Sequence, residues 1–534
     1  MRINKLYIHK YKNLKEFKID FSNSYYISVL LGKNGTGKSN FFEFLTIVFK
    51  CLDLADSPAT FKEFFKNELQ SMSEVYTDFS LDYTINSNKV RIVLEGNDLK
   101  IRDVIRTSSM PFSQFSSKKE QLFPSHVIGY YSGRNGRFEG LFDKHIADAE
   151  QAIIDVKNAQ DKKDDQELKA YQEGIIIPEK DKVIIPEEIF RNLFFAKHQY
   201  SQLLLLTLFA FKNKNSAIDV LLKEYLKIDG FQQFSLTLKS PEFNSKISYD
   251  DGVEKFWGAA GSALDSASFL YRISKRSLIL PIEQVNAMNI KSSKKEAITF
   301  LVNAEKFIEE VTEEYDNDMA ETFRHLESLY LSDLLQEIVL DVKRGEDIIS
   351  FSNLSEGEQQ MIATLGLMII TGTKNSLYLL DEPDTHLNPK WQREYINIIK
   401  QMAKEDDNSH IMIGTHSPFI PQSVVASDLI LFKKIENKTE VRKLDNMHTW
   451  KIDQILTSEI YELQTTRASD IEYAITRRDQ LRSLGRELRD SEIEELRDIE
   501  ITIEDLGVGR TSYEVKLNER MKKLSEIFSK VDNS

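Results

Sequence analysis

Cysteine is all but absent: Cys51 stands alone in 534 residues. That excludes an internal disulfide and a zinc site built on cysteines, and it fits a reducing compartment. Cys51 follows the apolar Leu45, Ile47, Val48 and Phe49, so a buried thiol is expected rather than a reactive one. Long apolar runs are missing too. The longest, residues 203–211, falls well short of the roughly 18 residues that a membrane-spanning helix needs. Residues 1–5 lack the apolar core of a secretory signal, and a cytoplasmic location is the expectation. Positive charge is short as well, with 70 basic against 84 acidic residues and a formal net charge of -14. Such a balance argues against a protein drawn onto nucleic acid by its whole field and leaves room only for a local basic groove.

What is present reads as alternating strands and helices. Residues 6–21 alternate apolar and basic positions around Asn13, as a strand, a turn and a second strand would. Residues 26–31 form a β-rich run that enters a glycine loop, and residues 39–49 read as a helix crowded with Phe41, Phe42, Leu45 and Phe49. Residues 75–105 suggest a strand meander, and 126–131 another apolar strand. Residues 145–175 are polar and helix-favouring, 188–227 apolar and helical, 294–335 helical again, and 338–351 a hairpin. A helix from 356, a strand at 377–380, a helix at 389–403 and strands at 410–414 and 428–432 complete a core. After residue 449 the chain is charged and helical.

Chemistry concentrates in separate short segments. Gly32-Lys33-Asn34-Gly35-Thr36-Gly37-Lys38-Ser39, followed by Asn40, has the P-loop pattern between an apolar strand and a helix. Glycines let successive backbone N–H groups face phosphates, and the helix N-terminus adds positive potential. Lys38 is expected to reach the β- and γ-phosphates, and Ser39 to ligate Mg²⁺. In Leu377-Tyr378-Leu379-Leu380-Asp381-Glu382-Pro383 an apolar strand delivers two carboxylates to a sheet edge. Asp381 is expected on Mg²⁺, and Glu382 as general base toward the attacking water. Leu354-Ser355-Glu356-Gly357-Glu358 opens a helix with a serine and a glycine, either as an anion site or as a plain N-cap with Glu358 completing a capping box. Gly414-Thr415-His416-Ser417-Pro418 follows an apolar strand, with His416 either structural or facing phosphate.

In this order the segments resemble the P-loop, signature, Walker B and switch histidine of ABC ATPases. The resemblance implies that ATP and Mg²⁺ are bound, that Ser355 and Gly357 meet the γ-phosphate held by an opposite subunit, and that the chain works as a head-to-tail homodimer or higher oligomer. Asp384 would fall in the D-loop, across the dimer interface. Lys38 and Ser355 are more than three hundred residues apart, far more than in ABC transporter subunits. The expected fold is therefore α/β, a split ABC-type (SMC/Rad50/RecF-like) ATPase head with a mainly helical insertion and a helical C-terminal tail. Its parts would be an N-terminal lobe at 1–140, the insertion at 141–330, a C-terminal lobe at 331–448 and the tail at 449–534.

Within that branch the chain is similar to the PtuA family of Septu-type antiphage systems, including the retron-associated form. The similarity also rests on Tyr130-Tyr131-Ser132-Gly133-Arg134 and Trp450-Lys451-Ile452-Asp453-Gln454-Ile455-Leu456. It implies a bacterial ATPase with a partner HNH nuclease (PtuB-like) and, in the retron form, a reverse transcriptase with its RNA–DNA hybrid. Nucleic acid would be met through the complex, and no membrane is involved. Two departures stand out. The signature carries Glu356, and no Q-loop glutamine can be placed, Gln121 being the nearest. Arg134 and Arg137 fit either a phosphate-facing role or plain surface charge. The expected function is an ATPase that controls the nuclease. A RecF/SMC-like repair ATPase is the alternative, followed by an OLD-type nuclease, whose metal-binding carboxylates are not found after His416. The tail reads as a docking surface for the nuclease or as a helical cap.

Overall fold

The computed structural model describes residues 1–505 other than 72–76, 97, 106–107, 134–135, 137, 174–176, 178–182, 185–190, 242–252, 286–291, 373, 404–406, 426–427, 445–446, 464–468, 485 and 487. Two compact units divide the chain, Met1–Ile452 and Asp453–Ser534.

Continuously apolar runs belong to strands covered on both faces. Ile27–Leu31, Leu377–Asp381 and His410–Thr415 are buried along their whole length. They lie in the middle of a seven-stranded sheet whose order is Lys438–Leu444, Asp428–Ile435, Ile27–Leu31, His410–Thr415, Leu377–Asp381, Val127–Tyr131 and Leu193–Phe195. All neighbours run parallel except the first pair. Register aligns the strand ends. Leu31 pairs with Thr415, Gly414 with Asp381, and Asp381 with Tyr131, so four strands end at one edge. Segments far apart in the chain are delivered there side by side.

A six-stranded antiparallel sheet, ordered Leu14–Asp20, Arg2–Tyr11, Phe79–Ile85, Asn88–Glu95, Asp98–Asp103 and Ser108–Met110, covers the other side of the P-loop helix Lys38–Leu54. Phe79–Ile85 shows the alternating burial of a sheet with one wet face. The helix buries Phe41, Phe42, Phe44, Phe49 and Cys51 in the common core, as expected for the thiol. Phe44 meets Phe79 edge-on at 5.5 Å, a favoured aromatic geometry. Glu43 also points inward and is neutralised by Lys12 at 2.5 Å, with the Tyr11 hydroxyl donating at 3.1 Å. A buried carboxylate needs such partners.

The inserted segment opens with the helix Asp143–Glu173 and returns to the core sheet at Leu193–Phe195, a strand too short to show any period within the expected helical stretch. It then builds a sheet that sequence periodicity does not anticipate. Five antiparallel strands run in the order Arg276–Val285, Ser292–Asn303, Gly230–Lys239, Leu335–Arg344 and Asp347–Ser350. Helix is expected from residue 294 because Lys294-Lys295-Glu296 favour it. The β-branched and aromatic run Ile298-Thr299-Phe300-Leu301-Val302 between two partner strands decides otherwise, and helix begins only at Ala304–Glu314. The hairpin expected at 338–351 forms, but its strands pair within this sheet rather than with the core.

The helix Ser201–Ala210 links the sheet to the signature segment. Its Gln202 side chain donates to Ile338 O at 2.8 Å, and its Ser201 hydroxyl to Gln359 O at 3.4 Å. A buried Arg191–Glu327 ion pair, with Arg191 4.8 Å over the Phe194 ring, ties the core strand to the helix Met319–Leu331. In the C-terminal unit the helices Ser469–Arg482 and Asp490–Asp505 are joined by Arg477–Glu495 and Arg482–Glu500 pairs. The split α/β head, the insertion carrying more helix than strand, and the helical tail follow the expected architecture.

Candidate nucleotide site

The loop after Ile27–Leu31 curls because three glycines take left-handed backbone: Gly32 at φ 151, Gly35 at φ 77 and Gly37 at φ 106. Gly32 has a second reason. A Cβ there would meet Phe432 O at 2.4 Å. Thr36 turns the loop back through its N–H and hydroxyl, both donating to Lys33 O, at 3.3 and 2.8 Å. The side chain of Asn40, expected among the nucleotide ligands, donates to Asn13 Oδ1 at 2.7 Å, and Asn13 donates to Gly35 O at 2.8 Å. The Thr439 hydroxyl holds Thr36 O at 2.8 Å from the far end of the sheet. Asn13 and Thr439 brace the loop; Asn13 was legible only as a turn residue, and Thr439 carried no signal in the sequence.

Lys38 is buried and donates to Gly32 O at 2.7 Å. Burial lowers its pKa from 10.5 to about 8, against the opposing pull of Asp381, Glu382 and Asp384. Its ammonium lies 3.2 Å from His416 Nε2. That nitrogen is also 3.0 Å from Glu382 Oε1, and this contact is the main reason the Glu382 carboxyl lies below its ordinary range. Glu382 holds a left-handed backbone, φ 54, with its N–H donating to Gly414 O at 2.7 Å. Strain of this kind in a side-chain-bearing residue is characteristic of functional sites. Lys38, Ser39, Asp381, Glu382 and His416 thus converge at one sheet edge, although three chain segments supply them, the first hundreds of residues from the other two.

Asp381 is 1% exposed, and burial raises its carboxyl to about 6, while hydrogen bonding from Ser39 and the charge of Lys38 pull it down. Its Oδ1 is buried without a protein partner. Mg²⁺ is held by few protein oxygens together with substrate phosphates. One orphaned carboxylate oxygen beside a serine hydroxyl fits that donor set. Among the described residues no cluster of three or more His, Cys, Asp or Glu side chains offers another metal cage.

Ser355 caps the helix that begins at Glu356–Met361, and the capping box is formed: its hydroxyl accepts from Glu358 N–H at 3.3 Å, and Glu358 Oε2 accepts from Ser355 N–H at 2.8 Å. The helix continues through a π-helical stretch, Ile362–Gly366, into Leu367–Thr371. Such stretches often mark functional segments. Gly357 is glycine for a local reason, since a Cβ would meet His386 O at 2.5 Å. Ser355 and Gly357 thus engage Glu358 and residues 386–387 rather than the P-loop of their own chain. Asp384 does not point outward, as expected of a residue across an interface. It is 3% exposed, and the Thr415 hydroxyl donates to its Oδ2 at 2.8 Å. No glutamine follows Val127–Tyr131; Ser132 stands there, its N–H 3.3 Å from Asp381 O and its hydroxyl 3.1 Å from Thr385. Gln121 lies in the short helix Lys119–Leu122, before that strand, where its carbonyl accepts from Asn86. Arg134 and Arg137 lie outside the described residues.

The family described as AAA ATPase domain matches residues 1–420, the stretch that carries every residue of this cluster. The chain belongs to the AAA ATPase domain family. Among curated relatives, this AAA ATPase is 22% identical over 448 residues to the Retron Vc95 probable ATPase of Vibrio cholerae serotype O1 biovar El Tor, covering 82% of this chain and 74% of that one. It is 30% identical over 158 residues to the Septu protein PtuA of Bacillus thuringiensis, covering 26% of this chain and 38% of that one. Among solved structures, an SMC head bound to the C-winged helix domain of ScpA matches 84% of this chain and 99% of its own, at 13% identity and a TM-score of 0.34. No helix among the described residues of this AAA ATPase is long and apolar enough to cross a membrane.

Proposed function

We propose that the chain binds ATP with Mg²⁺, hydrolyses it in a head-to-tail dimer, and thereby controls a partner HNH nuclease in antiphage defence. The observation that carries the chemistry is the Lys38–His416–Glu382 cluster beside the orphaned Asp381 oxygen. P-loop N–H groups and Lys38 would take the β- and γ-phosphates, and Ser39 with Asp381 would hold Mg²⁺, which neutralises phosphate charge when bound. Glu382, ionised well below neutral pH, accepts a proton from the attacking water. His416 orients that carboxylate and can turn its Nε2 toward the γ-phosphate. Lys38 offsets the charge that develops on the transferred group.

Dimerisation is inferred from the signature resemblance. Each γ-phosphate would bridge Lys38 of one subunit and Ser355 of the other, so ATP would favour the closed pair. The defence role rests on similarity to proteins named as a retron ATPase and a Septu PtuA. Purification with the neighbouring genes of the operon, followed by mass analysis with and without ATP, tests it: an HNH protein in the complex supports the role, and a complex without one points to a repair ATPase.

A further inference from the structure

Glu358 faces two ways. Its Oε2 accepts the Ser355 N–H at 2.8 Å and the Ser355 hydroxyl at 2.9 Å, while its Oε1 accepts Arg344 Nη2 at 2.6 Å. Arg344 is not local to the signature. It ends the strand Leu335–Arg344 of the inserted sheet, and the same Nη2 also donates to Leu226 O at 2.9 Å. Asp229 fixes that turn on both sides: its carboxylate accepts Gly345 N–H at 2.7 Å, and its own N–H donates to Lys343 O at 2.8 Å. The five-stranded sheet that the insertion helps to build therefore holds a guanidinium against the first turn of the signature helix.

In the proposed dimer, Ser355 must give its hydroxyl proton to a phosphate oxygen brought by the second subunit. In the single subunit that proton points at a carboxylate. An ionised acceptor at hydrogen-bond distance competes strongly for it, and its charge opposes an arriving phosphate. The first turn holds a second carboxylate, Glu356, which is paired with His386 at 3.0 Å. Glu358 is the more enclosed of the two and the one bonded to the serine itself.

We propose that Arg344 is a positioning residue for the signature serine. By holding Glu358 it offsets that charge and weakens its grip on the Ser355 hydroxyl, so the serine can turn to nucleotide on the second subunit. Because the inserted sheet carries Arg344, displacement of that sheet against the signature helix sets how readily two subunits close on ATP. This rests on the reading that Ser355 meets a γ-phosphate in trans.

The test uses the full chain with Glu382→Gln, so that ATP is not consumed. ATP-driven dimerisation is followed by sedimentation, and binding of a fluorescent ATP analogue to dilute protein is measured in parallel. Arg344→Met is expected to raise the ATP concentration for half-dimerisation about tenfold while leaving analogue binding within about twofold. Adding Glu358→Gln, which keeps a capping-box residue without its charge, is expected to restore dimerisation. Dimerisation of Arg344→Met at the unaltered ATP concentration, or failure of Glu358→Gln to rescue it, overturns the proposal. Should Arg344→Met not fold, Glu358→Gln alone decides: dimerisation at or below the unaltered ATP concentration supports the proposal, and a higher requirement refutes it. Ser355→Arg separates the two ideas, because a Ser355→Arg protein that still dimerises on ATP removes the reading of Ser355 itself, whatever Arg344 does.

Discussion

Gly414 lies so close to Asp381 that a Cβ built on it would be 2.7 Å from Asp381 Oδ1, the buried oxygen without a protein partner. The absent side chain keeps open the space into which that oxygen looks. Gly414→Ala is expected to fill it, and to press on Phe42, whose ring lies 3.0 Å from the same Cβ position. Overpacking of this kind costs about 1–3 kcal/mol. Nucleotide binding measured with and without Mg²⁺ is the check: the variant should lose the Mg²⁺-dependent increment while retaining weak Mg²⁺-free binding. An unaltered Mg²⁺ response would remove Asp381 as a metal ligand.

Glu382→Gln should lower kcat for ATP hydrolysis by about a hundredfold or more, in the range for loss of a general base, with nucleotide affinity kept. Steady-state phosphate release compared with equilibrium binding separates the two effects. Equal rates for wild type and variant would take the base role away from Glu382.

His416 holds the Glu382 carboxyl below its ordinary range. If Glu382 is the proposed base, its ionised form is the active one, and activity is lost as pH falls through that depressed value. In His416→Ala the carboxyl returns toward an ordinary value, and the acid limb of the kcat/KM profile should move to higher pH. A limb that stays in place would show that another group sets it.

Lys38 is a cation held in a buried place, with its pKa lowered from 10.5 to about 8. Below pH 8 both folded and unfolded chains carry the proton, and the folded state bears the full desolvation cost. Between about 8 and 10.5 the unfolded chain alone binds it, so stability rises with pH. Lys38→Met removes this cost, on the order of 1–3 kcal/mol at pH 7. The nucleotide-free variant should melt at a higher temperature than wild type at pH 7, with the gap shrinking above pH 8, while ATP no longer shifts its Tm. Calorimetry across that range checks the sign.

In the tail helices Ser469–Arg482 and Asp490–Asp505, Leu481 is buried whereas Tyr473, Ile493 and Ile501 are exposed. Exposed ion pairs such as Arg482–Glu500 contribute at most about 1 kcal/mol each, and among the described residues these helices leave more large apolar side chains exposed than buried. Removing residues 470–534 is expected to leave ATP binding intact and to abolish co-purification of the nuclease. A truncated chain that still captures it would assign the tail to capping.

The side chains of the candidate site were legible because each is announced locally. Glycines at 32, 35 and 37 permit the loop, an apolar strand ends in Asp381-Glu382, and another runs into His416. The P-loop helix and the core strands follow from periodicity and β-rich runs for the same reason. What the tertiary structure decided are relations between side chains that no spacing encodes. Asn13 and Thr439 brace a loop from distant strands, Asp384 turns inward to Thr415, Gly357 yields to the His386 backbone, and Arg344 reaches Glu358 from an inserted sheet. Local propensity and burial pattern act over a turn or a strand, so a single sequence displays them. The choice of hydrogen-bond partner is made only once register and packing have brought the segments together.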